Sequence, residues 1–460
     1  MSAVGDAAPP SVTASSIVTF RPLFVREPKH ADDDWIVGHE PSDTCIELPE
    51  AGVIAIRALQ RGGAVADVAL AVRQQCGEDI DVADFVAQME QLGLVATIDG
   101  RPTGEVRVIG QRWLERIRPE WVSWLFSWPV LLVVGSLILA GPLALLLDPG
   151  VRPRPTDVLW SPSYTLDLWT LLVVGWLLIF KHELGHLLTA RARGLAGELT
   201  FGRRLFYLVV VSRVAGIWKL PRHERLLIYS AGMLSDTATA GIFALTLAAA
   251  DAHLLPLAAP LHPLLRFFLI SEYVGVAWEF QIFMKTDVYH IVADLTGLHD
   301  LPERGRAWLV SLWGRLLAAL HLNRWAPSLH VSTAPTDAPI LRDAAYWITA
   351  GYALVQIVGV TCSLLYLFLY ILPANIVAMQ GEARMLATSI PQREWLLLLD
   401  SLMALALQAF IYGFLIRSLA RQYIVGRWVR RAPRSRQGAR RGDVSPQLDG
   451  ATSIADGSAS

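Results

Sequence analysis

"KHELGHLLTARARG", residues 181–194, follows directly on the apolar run "WTLLVVGWLLIF", residues 169–180. His182 and His186 stand four apart, which on a helix of about 3.6 residues per turn puts both imidazoles on one face, about one turn apart. That spacing suits two ligands of one tetrahedral zinc ion. Glu183 lies beside that face and can take a proton from a water acidified by the metal, as expected of a His-Glu-x-x-His metallohydrolase. Gly185 is read as leaving the helix open where water or substrate approaches the metal. Ionisable side chains inside a membrane span are costly and rare. Their crowding in "FKHELGH", residues 180–186, therefore makes a functional site the default reading over a helix extension with satisfied histidines.

The whole chain agrees with that setting. It has 460 residues, 53% apolar and only 18% charged, which is the composition of an integral membrane protein. The cations are nearly all Arg and cluster between apolar runs and in the C-terminal "RQYIVGRWVRRAPRSRQGARR". Such a pattern speaks of topology and not of nucleic acid. Cys45, Cys76 and Cys362 are too far apart for a Cys-x-x-Cys pair and too few for a disulfide framework.

Crossing a bilayer takes roughly 20 apolar residues. Runs of that kind fall at 124–147, 166–190, 226–250, 264–283, 344–372 and 395–417, which predicts a mainly α polytopic protein with about six spans. Arg112, Arg116 and Arg118 precede the first, as does Arg107; Arg191, Arg193, Arg203 and Arg204 follow the second. By the positive-inside tendency both termini are cytoplasmic in a multi-pass cell-membrane protein, with Arg152 and Arg154 outvoted.

Residues 1–19 read as a flexible lead-in without the marks of a cleavable signal. Residues 20–105 read as a small α+β domain: a strand in "FRPLFVR", a strand running into a helix in "DTCIELPEAGVIAIRAL", and a helix in "AVADVALAVRQQCG". A third helix in "DVADFVAQMEQLG" has Asp81 as N-cap and Gly93 as stop, with Val82, Phe85, Val86, Met89 and Leu92 on one face. "LVATI" closes the unit, and helices followed by a hairpin suggest a winged helix. Residues 20–100 hold fifteen Asp and Glu against six Lys and Arg, so a DNA footprint and a role in transcription are disfavoured. The arrangement resembles the peptide chaperone family of pyrroloquinoline quinone biosynthesis, the precursor-peptide recognition element. That resemblance, over about eighty residues and by pattern alone, implies a leader peptide held as an added strand. The other reading is a winged helix that only packs on the membrane part.

"HELGHLLTARARG" at the end of a span also resembles the site-2 protease family of intramembrane zinc metallopeptidases, with a core here of residues 120–300. The family has three core spans, the motif on the first and an Asp ligand at the end of the third. The resemblance implies Zn²⁺ held by His182, His186 and Asp287 of "EFQIFMKTDVYH", with Glu183 as base. Val288 stands where the family has Gly after the ligand Asp, and His290 is the alternative third ligand. "SAGMLSD", residues 230–236, parallels the family's Ala-Gly-Pro segment with a later Asn: Met233 replaces the Pro and Asp236 takes the Asn place. Gly232 and Asp236 would then touch substrate or the developing oxyanion, Asp236 as a protonated donor; the other reading of Asp236 is a buried polar group satisfied by a neighbouring span.

Between these spans, "LTFGRRLFYLVVVSRVAGIWKL", residues 199–220, has β-branched and aromatic runs flanking Ser212 and Arg213. It is read either as a hairpin dipping into the bilayer edge, which the family uses to hold substrate as a strand, or as an interfacial loop anchored by Trp218. In 301–342, "GRAWLVSLWGRLLAALHLNRW" puts Trp308, Leu312, Leu316 and Leu320 on one face and Arg315 and Arg324 near the other, a helix on the membrane surface. His321 and His330 read as surface histidines. After two C-terminal spans in 343–418, the Arg-rich segment 419–460 fixes topology, touches anionic lipid and ends in a disordered polar stretch.

The function expected is a zinc metalloendopeptidase whose N-terminal domain captures a leader of a ribosomally made peptide, in its maturation, export or immunity. The alternative is a non-proteolytic membrane peptide-binding, transport or receptor protein with a structural metal.

Overall fold

The structure is a computed structural model that describes residues 12–27, 35–77, 79–106, 108–110, 112–204, 207–319, 344–392 and 395–431. The expectations for residues 1–11, Arg107, His321, Arg324, His330 and the tail from 432 onward lie outside the described residues. The chain is mainly helical with a small N-terminal sheet region.

That region begins with β1 (Val18–Phe20), β2 (Phe24–Arg26), β3 (Trp35–His39) and β4 (Thr44–Leu48). Then come α1 (Glu50–Gln60), α2 (Val65–Cys76), α3 (Val82–Gln91), β5 (Val95–Ile98) and β6 (Arg101–Pro102). β2, β3 and β4 form one antiparallel sheet, and β1, β5 and β6 another. Asp81 caps α3 by accepting the N–H groups of Ala83 and Asp84, both at 3.0 Å, and Gly93 ends it at φ +72°. Val82, Phe85, Val86 and Met89 join Val37, Ile46, Ile56 and Leu59 in one core. Two expectations need correction. "FRPLFVR" is not one strand: the chain breaks around Pro22, which cannot donate to a ladder, and the halves enter different sheets. Nor are residues 12–19 a lead-in, because Val18 is buried and Ser16 donates to Asp99 across 2.9 Å.

After the short helices α4 (Arg112–Glu115) and α5 (Pro119–Ser123) comes the membrane part. It comprises α6 (Trp128–Leu147), α7 (Tyr164–Ala192), the hairpin β7 (Gly197–Arg204) and β8 (Tyr207–Val214), α8 (Arg222–Asp251) and α9 (Leu261–Glu279). α10 (Asp287–Thr296), α11 (Leu301–Ala319), α12 (Ala344–Tyr366), α13 (Leu372–Gln392) and α14 (Trp395–Arg431) follow. Among the described residues, five helical segments are long and apolar enough to cross a membrane: Trp128–Leu147, Tyr164–Ala192, Arg222–Asp251, Ala344–Thr388 and Trp395–Phe414. The expected span at 264–283 is helical only to Glu279 and carries Arg266, Glu272 and Glu279, so it does not meet the same composition. The span expected to end at 372 instead runs on through a π-helical turn, Leu367–Ile371, into α13.

α8 is the hub, lying against α6, α7, α9 and α10. Its buried face is made of small residues, among them Ala231, Gly232, Ala240, Gly241 and Ala244, which lets backbones approach as membrane helices require. A Cβ on Gly141 of α6 would stand 2.6 Å from Gly241 Cα, so these helices cross backbone to backbone. Ser212 and Arg213 prove to lie inside β8 and not at the turn of the hairpin, whose strands pair Leu199 with Ser212 and Arg204 with Tyr207.

The N-terminal domain docks on the chain just after β8. Asp43 Oδ1 accepts the Gly216 N–H at 2.8 Å, Arg26 donates to Trp218 O at 2.6 Å, and Lys219 pairs with Glu40. Gly38 gives the Trp218 ring room beside β3, since a Cβ there would meet the indole at 2.7 Å.

Candidate metal centre

α7 carries the His-Glu-x-x-His motif in its last third, where the apolar run gives way to polar residues. Gly185 packs against α8: a Cβ there would lie 3.1 Å from Ala231 O and 3.5 Å from Gly232 Cα. The expectation that Gly185 opens a path for substrate is therefore wrong. The missing side chain lets α7 and α8 touch beside the histidines, which presses both imidazoles onto Gly232. A Cβ on Gly232 would sit 2.4 Å from His182 Nε2 and 2.5 Å from His186 Nε2. The structure thus sets Gly232 against the two ring nitrogens themselves.

Hydrogen bonds decide which nitrogen of each ring is free. His182 Nδ1 lies 2.6 Å from Asp236 Oδ2, and His186 Nδ1 lies 2.7 Å from the Ile228 carbonyl. A carboxylate and a carbonyl only accept, so both Nδ1 atoms carry hydrogen, and in the neutral rings that ligate a metal both Nε2 atoms keep their lone pairs. Those Nε2 atoms face each other at 3.1 Å, and Asp287 Oδ2 stands 3.1 Å from the first and 2.9 Å from the second. In that tautomer two lone pairs and a carboxylate this close repel, whereas a cation among them turns repulsion into ligation. Tetrahedral zinc, with bonds of about 2.0–2.1 Å, sets its ligand atoms about 3.3 Å apart. The residues present fit such an ion. Among the described residues, His182, His186 and Asp287 form a group with ligand atoms within 4.8 Å of one another.

Asp287 reaches this place through a tight connection. α9 stops at Glu279, the chain makes one 3-10 turn over Ile282–Met284, and Lys285 takes φ 55°. Thr286 Oγ1 then donates to Glu279 O at 2.6 Å, and the Asp287 N–H donates to Glu279 Oε2 at 2.9 Å. His290, the alternative ligand, is one turn further along α10, and its ring stacks on Tyr229 at 5.6 Å, apart from the group. Three residues of helix turn a side chain by about 300° and lift it about 4.5 Å, enough to separate the two.

Glu183 is half-buried, and its Oε2 accepts the Ser212 N–H at 2.7 Å. Asp236 is 3% exposed and spends Oδ2 on His182. In the structure it acts as an acceptor that orients a ring, the arrangement by which a carboxylate raises the basicity of a metal-binding imidazole. The sequence reading passed over Lys181, Glu272 and Glu279. Lys181 pairs with Asp236 and Glu272, and Glu279 Oε1 comes within 4.0 Å of His182 Nε2. The signal for the two glutamates was available, since each is an acid inside an expected span.

Comparison with family models, with curated proteins and with solved structures finds no match to this chain.

Proposed function

We propose that this protein is a membrane zinc metallopeptidase, similar to the site-2 protease family, that cleaves a ribosomally made peptide. The observation that carries the reading is the convergence of His182 Nε2, His186 Nε2 and Asp287 Oδ2, with Glu183 beside them on the same helix face. Three protein ligands with a position left open are the pattern of a catalytic zinc. Zinc, when bound, polarises a carbonyl and acidifies water. Glu183 takes the proton from the attacking water and returns it to the leaving amine, the exchange expected of a general base and acid. Asp236 and the Ile228 carbonyl keep both rings in the metal-binding tautomer.

The hairpin supplies a place for the substrate. Odd-numbered residues of β8 bond to β7, as Ala215 N–H to Ala196 O at 2.9 Å illustrates, so Leu208, Val210 and Ser212 turn their backbone groups outward. That edge faces α7, and a peptide added to it in extended form passes Glu183. The N-terminal domain is read as a winged helix that captures a leader peptide, and its docking on Gly216 and Trp218 sets it directly behind β8.

Counting α9 as a span gives six crossings and puts both termini on one side, which the Arg distribution makes the cytoplasm. α9 is about 28 Å long at 1.5 Å per residue, and Glu272 is neutralised by Lys181.

Zinc content of the purified protein, by elemental analysis, tests the site. His182→Ala, His186→Ala and Asp287→Ala each lose zinc, and His290→Ala keeps it. Zinc lost from His290→Ala and kept in Asp287→Ala would overturn the ligand set.

A further inference from the structure

Three ionisable side chains that ligate nothing meet where α7, α8 and α9 adjoin. Lys181 Nζ lies 2.8 Å from each oxygen of Glu272, 3.0 Å from Asp236 Oδ1 and 3.1 Å from Thr239 Oγ1. Glu272 is 1% exposed and Asp236 3%. Desolvating such charges costs so much that replacing a buried ion cluster by apolar side chains is often neutral or stabilising. Stability alone therefore does not account for this cluster, and inside membrane helices ionisable groups mark function by default.

Asp236 is where the cluster meets the metal centre. One of its oxygens faces Lys181 and the other holds His182 Nδ1 at 2.6 Å. Lys181 and His182 are neighbours in α7, so the backbone fixes one end of each side chain and Asp236 joins the other ends. Glu272 takes Lys181 with both oxygens, which keeps the ammonium beside Asp236. We propose that Lys181 and Glu272 are positioning residues of the metal centre, acting through Asp236 to hold the His182 ring with Nε2 aimed at the ion. The inference rests on the metal reading given above. Lys181 acts on the ligand group through Asp236, and Glu272 acts through Lys181.

The test uses the full-length protein in detergent and measures zinc affinity by competition with a chromophoric chelator. Lys181→Met is expected to weaken zinc binding by roughly 10- to 100-fold, the usual effect of losing an outer partner of a metal ligand. Glu272→Gln, which keeps the side-chain shape and serves if Lys181→Met fails to fold, weakens it in the same direction. The double-mutant cycle separates positioning from packing: in an Asp236→Asn background, Lys181→Met and Glu272→Gln have no further effect on zinc affinity. Losses that add across the cycle, or zinc affinity unchanged in both single variants, overturn the inference while leaving the metal reading intact. Wild-type protein that binds no zinc overturns both.

Discussion

The backbone N–H of Ser212 donates to Glu183 Oε2 across 2.7 Å, so the carboxylate beside the paired imidazoles is moored to the outward edge of β8. On the proposed reading, a strand added to that edge would compete for the same N–H and free Glu183 as the peptide arrives. Glu183→Gln is expected to keep zinc, since residue 183 is no ligand, and to lower cleavage by roughly 10² to 10⁴. Mass spectrometry of a co-expressed precursor peptide measures the second quantity. Cleavage at the wild-type level in the variant would overturn Glu183 as the base and the enzyme reading built on it.

Gly232 offers a way to remove the metal without touching a ligand. An added methyl stands 2.4 Å from His182 Nε2 and 2.5 Å from His186 Nε2, in the space the ion needs. The methyl overpacks two held rings at a cost of about 1–3 kcal/mol, partly offset by the better helix propensity of Ala, about 1 kcal/mol, so size-exclusion chromatography checks that Gly232→Ala is folded. Its zinc content should drop to that of the His186→Ala variant.

The crossing of α6 and α8 predicts a contrast between glycines. At Gly241 a Cβ would meet Leu137 O at 2.3 Å, whereas at Gly175 nothing lies within 4 Å. Gly241→Val is expected to destabilise by about 1–3 kcal/mol or more, the cost of overpacking. Gly175→Ala should be neutral or slightly stabilising. Thermal unfolding in detergent, followed by tryptophan fluorescence, ranks the two.

Docking of the N-terminal domain carries a pH dependence. Burial pushes the Asp43 carboxyl up to about 6, against the Gly216 N–H that it accepts. A group with a raised folded pKa binds its proton more tightly when folded. Its contribution is therefore fully present below about 4 and is lost as pH rises through 6. On the order of 2 kcal/mol of stability should disappear over that window. Asp43→Asn keeps an acceptor for Gly216 without a charge, so its stability should stay flat between pH 4 and 7 while that of wild type falls.

Reporter fusions after residues 105, 155, 200, 255, 330, 385 and 430 are expected to read in, out, in, out, in, out, in. An outside signal at 200 would put the histidines of α7 on the far side from the N-terminal domain, contrary to the contacts of Asp43 and Arg26 with residues 216 and 218.

Much of this was written along the chain. Periodicity set α1, α2 and α3, and capping fixed the ends of α3, because Asp81, Gly93 and the Val82, Phe85, Val86, Met89 face are local signals. Length and apolarity set α6, α7, α8, α12 and α14. The i, i+4 spacing of His182 and His186 fixed their shared face, since helix geometry alone decides it.

What only the tertiary structure decided is how distant parts meet. β3 lies beside an acidic stretch and has no turn signal of its own, and it exists because β2 and β4 flank it. Gly185 is a packing residue because α8 happens to press against it, which no property of α7 foretells. Asp287 and His290 are alike as ligand types; the 3-10 turn and the Glu279 clasp aim the first at the imidazoles, and α10 carries the second to Tyr229. Asp236 reads as donor or acceptor until His182 Nδ1 stands 2.6 Å away, and Lys181 and Glu272, 91 residues apart, are unrelated until α7 and α9 are brought together. Local sequence fixes the period and polarity of each segment. Which polar groups must satisfy one another is fixed only when the helices pack and water is gone.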